Sequence, residues 1–247
     1  MSAVLLKTSG LSLAFGGVVA ADAIDFELRE GERLAVVGQN GAGKTTFLNI
    51  CTGYLKPNSG QVWLDGHDIT GQSPRSITRK GVGRSFQLPQ VFGEHTVREC
   101  LLLAASSGAR RGNWLTPLDR AVDADSVDET LDLLQLSARA DDLSQSLPEG
   151  QRKLLDVAMA LMLKPRLLIM DEPTSGVSSE EKHELMRVLM RALDERRVTS
   201  IFVEHDIDIV RRYATRLCAW ISGRIAADGS PEQVLNDPLV ISNVIGE

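Results

Sequence analysis

Gly38-Gln39-Asn40-Gly41-Ala42-Gly43-Lys44-Thr45-Thr46 decides the fold of this chain. A glycine, four residues and then Gly-Lys-Thr form the pattern of a phosphate-binding loop. Its flanks supply the context the pattern needs. Leu34-Ala35-Val36-Val37 ahead of it is a short apolar run, suited to a buried parallel strand. Thr45 through Thr52 behind it reads as a helix ending at Gly53. Glycines let successive backbone N–H groups turn inward, and the helix N-terminus adds partial positive charge. Lys44 offers a point charge to terminal phosphates, and Thr45 a hydroxyl to Mg²⁺.

The bulk composition sets limits around this loop. The chain has 247 residues, 43% of them hydrophobic, enough for one large α/β domain. Its formal charge is −6 with no basic stripe, which disfavours nucleic acid as a partner. Cys51, Cys100 and Cys218 are scattered, without the spacing of a disulfide framework or a metal site, as expected in a reducing cytosol. Met1 to Lys7 lacks the form of a signal peptide. The longest apolar region, Leu154 to Met170, is interrupted by Asp156, Lys164, Pro165 and Arg166 and is not a membrane span. A soluble protein able to dock on a membrane protein is expected.

The first sixty residues alternate as strands do. Leu11, Leu13 and Phe15 lead into Gly16-Gly17, and Ile24, Phe26 and Leu28 share one face of the next strand. Gly60 to Gly66 is a further strand, giving an antiparallel sheet beside the phosphate loop. Phe15, on a short loop, is either a ring able to stack on a purine or a core phenylalanine. Gly83 to Pro89 reads as a strand running into a loop, and Val97 to Ala105 as a helix. Ser106 to Asn113 is a glycine-rich loop whose Arg110-Arg111 pair is a solvated feature. Val127, Leu131 and Leu134 recur at helical spacing. Residues 88–160 thus form a mostly helical insertion in an α/β core made of 1–87 and 161–247, within a single domain.

Two further sites join the loop. A long helix after Leu147-Pro148-Glu149-Gly150-Gln151 buries Leu154, Ala158, Leu161 and Met162, and Pro165 stops it. Leu167-Leu168-Ile169-Met170-Asp171-Glu172 then reads as a buried parallel strand opening into two carboxylates. Ligands of open α/β sheets bind at that end. Ser178-Ser179-Glu180-Glu181 caps a helix with the stripe Leu185, Val188, Leu189, Ala192 and Leu193. Thr199 to Val203 is a core strand that delivers His205, whereas His67, His95 and His183 read as structural or exposed. A hairpin from Arg216 to Asp228 and a helix opened by Ser230-Pro231-Glu232 complete the chain.

In this order the pieces resemble the ATP-binding subunit of an ABC transporter over nearly the whole chain. The match runs through the phosphate loop Gly38 to Thr46, the glutamine loop Phe86-Gln87, the signature Leu147 to Gln151, the acidic strand Leu167 to Glu172, the switch His205 and the adenine-stacking Phe15. The stretch Leu13 to Ala20, the helical insertion and the ending Ser230 to Gly246 are similar to the branched-chain amino-acid uptake branch. Urea, amide and aromatic-acid importers share the ATPase type. Two departures stand out. The usual Leu-Ser-Gly-Gly-Gln has Pro148 and Glu149 in place of serine and the first glycine, and Ser178 replaces the usual aspartate.

The resemblance implies ATP hydrolysis. Gly38, Gln39, Asn40, Gly41, Ala42, Gly43, Lys44, Thr45 and Thr46 would hold the phosphates, and Phe15 the adenine. Thr45, Gln87 and Asp171 would organise Mg²⁺, Glu172 would be the general base, and His205 would sense the γ-phosphate. Leu147, Gly150 and Gln151 would cap the ATP of a second ATP-binding subunit, a copy or a relative, in a head-to-tail pair. Gly150 is expected where only bare backbone fits. The pair would drive permease subunits fed by an extracytoplasmic solute-binding protein, with the chain on the inner face of the membrane. Rival classes are an ATPase of a lipopolysaccharide-type exporter, a DNA-repair ABC ATPase with long coiled coils or zinc modules, and a translation-associated protein with two tandem cassettes.

Overall fold

The computed structural model describes residues 2–108 and 123–246, and the Arg110-Arg111 pair lies outside them. Strands β1 (Val4–Phe15) and β2 (Val18–Arg29) form an antiparallel hairpin across Gly16-Gly17. With β4 (Ser59–Leu64) and β5 (His67–Asp68) they make a four-stranded sheet in the order β2-β1-β4-β5. The second sheet contains β3 (Arg33–Gly38), β6 (Val82–Ser85), β7 (Leu167–Asp171), β8 (Thr199–Val203), β9 (Arg216–Ile221) and β10 (Arg224–Gly229), in the order β10-β9-β3-β8-β7-β6. Its strands run parallel from β9 to β6, and β10 adds an antiparallel edge.

The central parallel strands are apolar along most of their length because both of their faces are covered. On β3, Leu34 and Val36 pack toward the antiparallel sheet, while Ala35 and Val37 pack toward the helices. On β7, Leu167 and Ile169 take the first side and Leu168 and Met170 the second. The alternation is the two-residue period of a strand with apolar side chains at both phases. Each such buried aliphatic side chain contributes about 1.5–3 kcal/mol. Helix α1 (Lys44–Cys51) lies between the two sheets, and its Phe47 ring meets Phe26 at 5.4 Å and Trp220 at 4.9 Å.

The other face carries α3 (Val97–Gly108), α4 (Ala124–Leu133), α5 (Glu149–Met162) and α6 (Ser179–Glu195), the short α2 (Pro74–Thr78) preceding β6. Helix α5 packs on α3, α4, α6 and β6, so it crosses the boundary at residue 160 between the expected insertion and core. Two local expectations are corrected. Ser178 occupies the N-cap of α6, but its hydroxyl donates to the Glu181 carboxylate at 2.9 Å and accepts no backbone N–H. Phe15 ends β1 rather than lying on a loop, and is half exposed. The reciprocal Ser230–Gln233 capping box does form, on α8 (Pro231–Leu235) after α7 (Ile207–Tyr213). No helix of the described residues is long and apolar enough to cross a membrane.

Strand register delivers the site. Asp171 pairs with Val203 on β8, which pairs with Val36 on β3. The chain segments leaving β3, β7 and β8 therefore emerge side by side at one sheet edge.

Candidate active site

The phosphate loop is forced into shape by its surroundings. Gly43 sits at φ +100°, and a Cβ there would lie 2.0 Å from the Ala20 carbonyl oxygen on β2. A Cβ on Gly38 would come 2.4 Å from the Trp220 carbonyl oxygen on β9. Only glycine fits either place. The β9–β10 turn closes the far wall, with Gly223 N–H donating to the Ala42 carbonyl at 2.8 Å. Lys44 folds across the loop, and its ammonium donates to the carbonyls of Gly38 at 2.5 Å and Gln39 at 2.9 Å. Burial pulls its pKa down, opposed by the carboxylates of Glu172 and Asp171.

Asp171 ends β7 nearly buried and accepts the Thr45 side-chain hydrogen bond. Burial pushes its pKa up. The Arg84 guanidinium, with Nη2 3.6 Å from Asp171 Oδ2, is the largest opposing influence. Arg84 itself is wedged against the Phe86 and Tyr54 rings and donates to Thr52 Oγ1 at 2.8 Å.

Glu172 is the hub. Its Oε2 accepts from Gln87 Nε2 at 2.8 Å, and its Oε1 lies 3.1 Å from His205 Nε2. One carboxylate is thus fixed between an amide and an imidazole from two different loops. Glu172 is also in the left-handed backbone region, at φ 50°. Glu204, just before His205, is buried and accepts the N–H of Thr174 at 2.9 Å and of His205 at 3.3 Å. Burial raises its pKa.

Lys44, Thr45, Asp171, Glu172, Gln87 and His205 come together. Leu147, Gly150 and Gln151 do not join them. Leu147 is a core residue, and the start of α5 faces Val177 and Leu185. Gln151 Oε1 is buried with no hydrogen-bond partner. Pro148 is the N-cap and gives no side-chain cap, while Glu149 pairs with Arg152 at 2.5 Å.

Sequence reasoning missed Arg84, Lys153, Asp156 and Glu204. Of these only Asp156 interrupts an apolar run, between Leu154-Leu155 and Val157-Ala158; Arg84, Lys153 and Glu204 stand next to polar or glycine residues and carry no such signal. Asp156 is 6% exposed on α5 and accepts the N–H of Phe86 at 3.2 Å and of Gln90 at 3.0 Å.

Known proteins resemble this chain along its length. Residues 21–175 match the family model described as ABC transporter. A probable branched-chain amino acid transport ATP-binding protein of Archaeoglobus fulgidus is 36% identical over 98% of this chain and 95% of its own. The high-affinity branched-chain amino acid transport ATP-binding protein BraF of Pseudomonas aeruginosa is 34% identical over the full length of both. The crystal structure of the ADP conformation of an ATP-binding cassette of an ABC transporter superposes over all of both chains, with a TM-score of 0.86 at 30% identity. A protein whose glycine loop, acidic strand and His205 meet at one sheet edge, and which shares sequence with such relatives end to end, belongs to the ABC transporter family as one of its ATPases.

Proposed function

We propose that this ATPase binds MgATP on the Gly38–Thr46 loop and uses its hydrolysis to power a membrane importer for branched-chain amino acids. The observation that carries the chemistry is the Glu172 carboxylate, held by Gln87 and His205 beside Lys44 and Asp171. The solute is carried over from the relatives' names.

Lys44 turns its ammonium from the loop carbonyls to the terminal phosphates, and the loop amides take the remaining oxygens. Glu172 accepts the proton of the attacking water, and His205 contacts the γ-phosphate and senses its hydrolysis. Phe15, half exposed at the tip of the β1–β2 hairpin, stacks on adenine. Thr45 and Asp171 form an all-oxygen pair that suits Mg²⁺, a cation which keeps most of its water and takes one or two protein oxygens. Gln87 completes this set. Held there, Mg²⁺ would offset the charge of the phosphates.

Two ATP-binding subunits pair head-to-tail, each offering Leu147, Gly150 and Gln151 to the other's ATP. The permease docks in a cleft of about 260 Å³ lined by Tyr54, Phe86, Phe92 and Asp156, of which Tyr54 and Phe92 are exposed aromatics. The chain therefore works at the inner membrane face, reached by the extracytoplasmic solute-binding protein only through the permease. Glu172→Gln tests this reading. ATP affinity should persist while turnover falls about 10²–10⁴-fold, as for a lost general base. Unchanged turnover would remove Glu172 from the role.

A further inference from the structure

Lys153 is 4% exposed, and its ammonium has three acceptors. They are the Gln87 carbonyl at 3.1 Å, the Glu172 carbonyl at 3.0 Å and Ser175 Oγ at 3.0 Å. An ammonium has three protons, so every one is used. The three acceptors come from two separate segments, the loop after β6 and the turn after β7. One helical turn further on, Asp156 takes the N–H groups of Phe86 and Gln90, on either side of Gln87. Helix α5 thus holds the glutamine loop by two buried charges of opposite sign, and one of them also holds Glu172.

The Glu172 backbone needs such a hold. A non-glycine residue stays in the left-handed region only where its surroundings impose it. Here its N–H donates to the Val203 carbonyl at 3.1 Å, and its own carbonyl accepts from Ser175 N–H at 3.1 Å and from Lys153. That backbone setting determines where the carboxylate stands relative to Gln87 and His205.

We propose that Lys153 is the positioning residue for Glu172: it fastens the Glu172 peptide and the Gln87 peptide to α5, so that the carboxylate takes its working place only with α5 docked. This rests on Glu172 being the base. The cleft wall contains Phe86, Gln90 and Asp156, so a segment that moves this wall moves the same clasp. Methionine matches lysine in length but donates nothing, and arginine donates from a planar fork that reaches some of the three acceptors.

The test uses the full chain with Lys153→Met, Lys153→Arg and Glu172→Gln, singly and as Lys153→Met/Glu172→Gln. Lys153→Met should lower single-turnover hydrolysis by about 10–100-fold, the scale of a misplaced catalytic group. ATP affinity by calorimetry should stay within about twofold, because Lys153 does not touch the phosphate loop, and Lys153→Arg should recover part of the rate. Amide exchange at 86–90 should quicken in Lys153→Met. In the Glu172→Gln background the same change should cost almost nothing further, since both act through one group. Should Lys153→Met not fold, Lys153→Arg carries the cycle, with a smaller loss that must vanish in the Glu172→Gln background. A rate within about twofold of the parent, or an equal loss in both backgrounds, would overturn the inference. Full turnover in Glu172→Gln alone would overturn the base and the inference together.

Discussion

Gly150→Asp separates the subunit from the proposed pair. Gly150 is the second residue of α5, and its φ is not in the left-handed region. A Cβ there meets nothing nearer than Leu185 Cδ1 at 3.6 Å and Val177 Cγ1 at 3.8 Å, ordinary van der Waals contact. Within the subunit a Cβ at 150 therefore has room, and the need for bare backbone there concerns the proposed pair alone. An aspartate has a helix propensity a few tenths of a kcal/mol better than glycine. Its carboxylate in the first turn adds about 0.3–1 kcal/mol through the helix dipole. The sum is about 0.5–1.4 kcal/mol of added stability. For a chain of this size that raises Tm by about 1–6 °C.

The effect on association has the opposite sign. If Gly150 faces the partner's triphosphate, the new carboxylate stands near phosphate charge, and two like charges about 4 Å apart near a protein surface repel by about 4 kcal/mol. That is roughly three orders of magnitude in the dimer constant. Thermal melting and sedimentation with ATP, both in the Glu172→Gln background, read the two effects separately. A higher Tm with loss of the ATP-bound dimer is the expected pair of results. A dimer as strong as the parent's would remove Gly150 from the interface, and a Tm lower by several degrees would refute the packing argument.

The remaining predictions follow from the same geometry. Pro148→Ser with Glu149→Gly should strengthen ATP-driven dimerisation, because the serine supplies a hydroxyl and a carboxylate is removed from the start of α5; the serine should also cap α5, worth about 1 kcal/mol. No gain in sedimentation would count against the signature as a trans cap. Phe15→Ala should weaken ATP binding by about 1–3 kcal/mol, the scale of base stacking, and barely move Tm, since the ring is 51% exposed; a large fall in Tm at constant affinity would return Phe15 to the core. For Glu204, burial raises the folded pKa above 4.5, so the folded state binds the proton more readily, and its contribution declines as pH rises through the raised value. Glu204→Gln keeps an acceptor for Thr174 N–H and should flatten that decline, by at most about 1.4 kcal/mol per pH unit; identical pH slopes in denaturant melts would refute the assignment.

The sequence made the parallel core legible because its strands are apolar at both phases and end in chemistry-bearing residues. Leu34 to Val37 and Leu167 to Met170 could be placed on a two-faced sheet without coordinates. The meeting of Lys44, Asp171, Glu172 and His205 followed from strands that must share an edge. What escaped was side-chain reach. Nothing in Gly83 to Pro89 indicates that Arg84 turns inward to Asp171 or that Gln87 reaches Glu172. Ser178 carries a capping residue type at a capping position, yet a neighbouring carboxylate outcompetes the backbone for its hydroxyl. The depth of Leu147 was hidden as well, because a motif position says nothing about which side chains face inward.

The buried charges follow one rule. Lys44, Arg84, Lys153, Asp156, Asp171 and Glu204 are all withdrawn from water, and burial shifts each away from its charged form. Such groups oppose folding unless well paired, and an apolar core of equal volume would be at least as stable. Here almost every one grips a loop. Lys44 holds the carbonyls of Gly38 and Gln39, Asp156 holds Phe86 and Gln90, Lys153 holds Gln87 and Glu172, and Glu204 holds Thr174 and His205. The apolar faces of the sheet carry stability, and the charges set where the loops stand. Departures from local preference of this kind belong at functional sites. Substitutions among the aliphatic residues of β3 and β7 should therefore act first on Tm, and substitutions among the charges first on turnover.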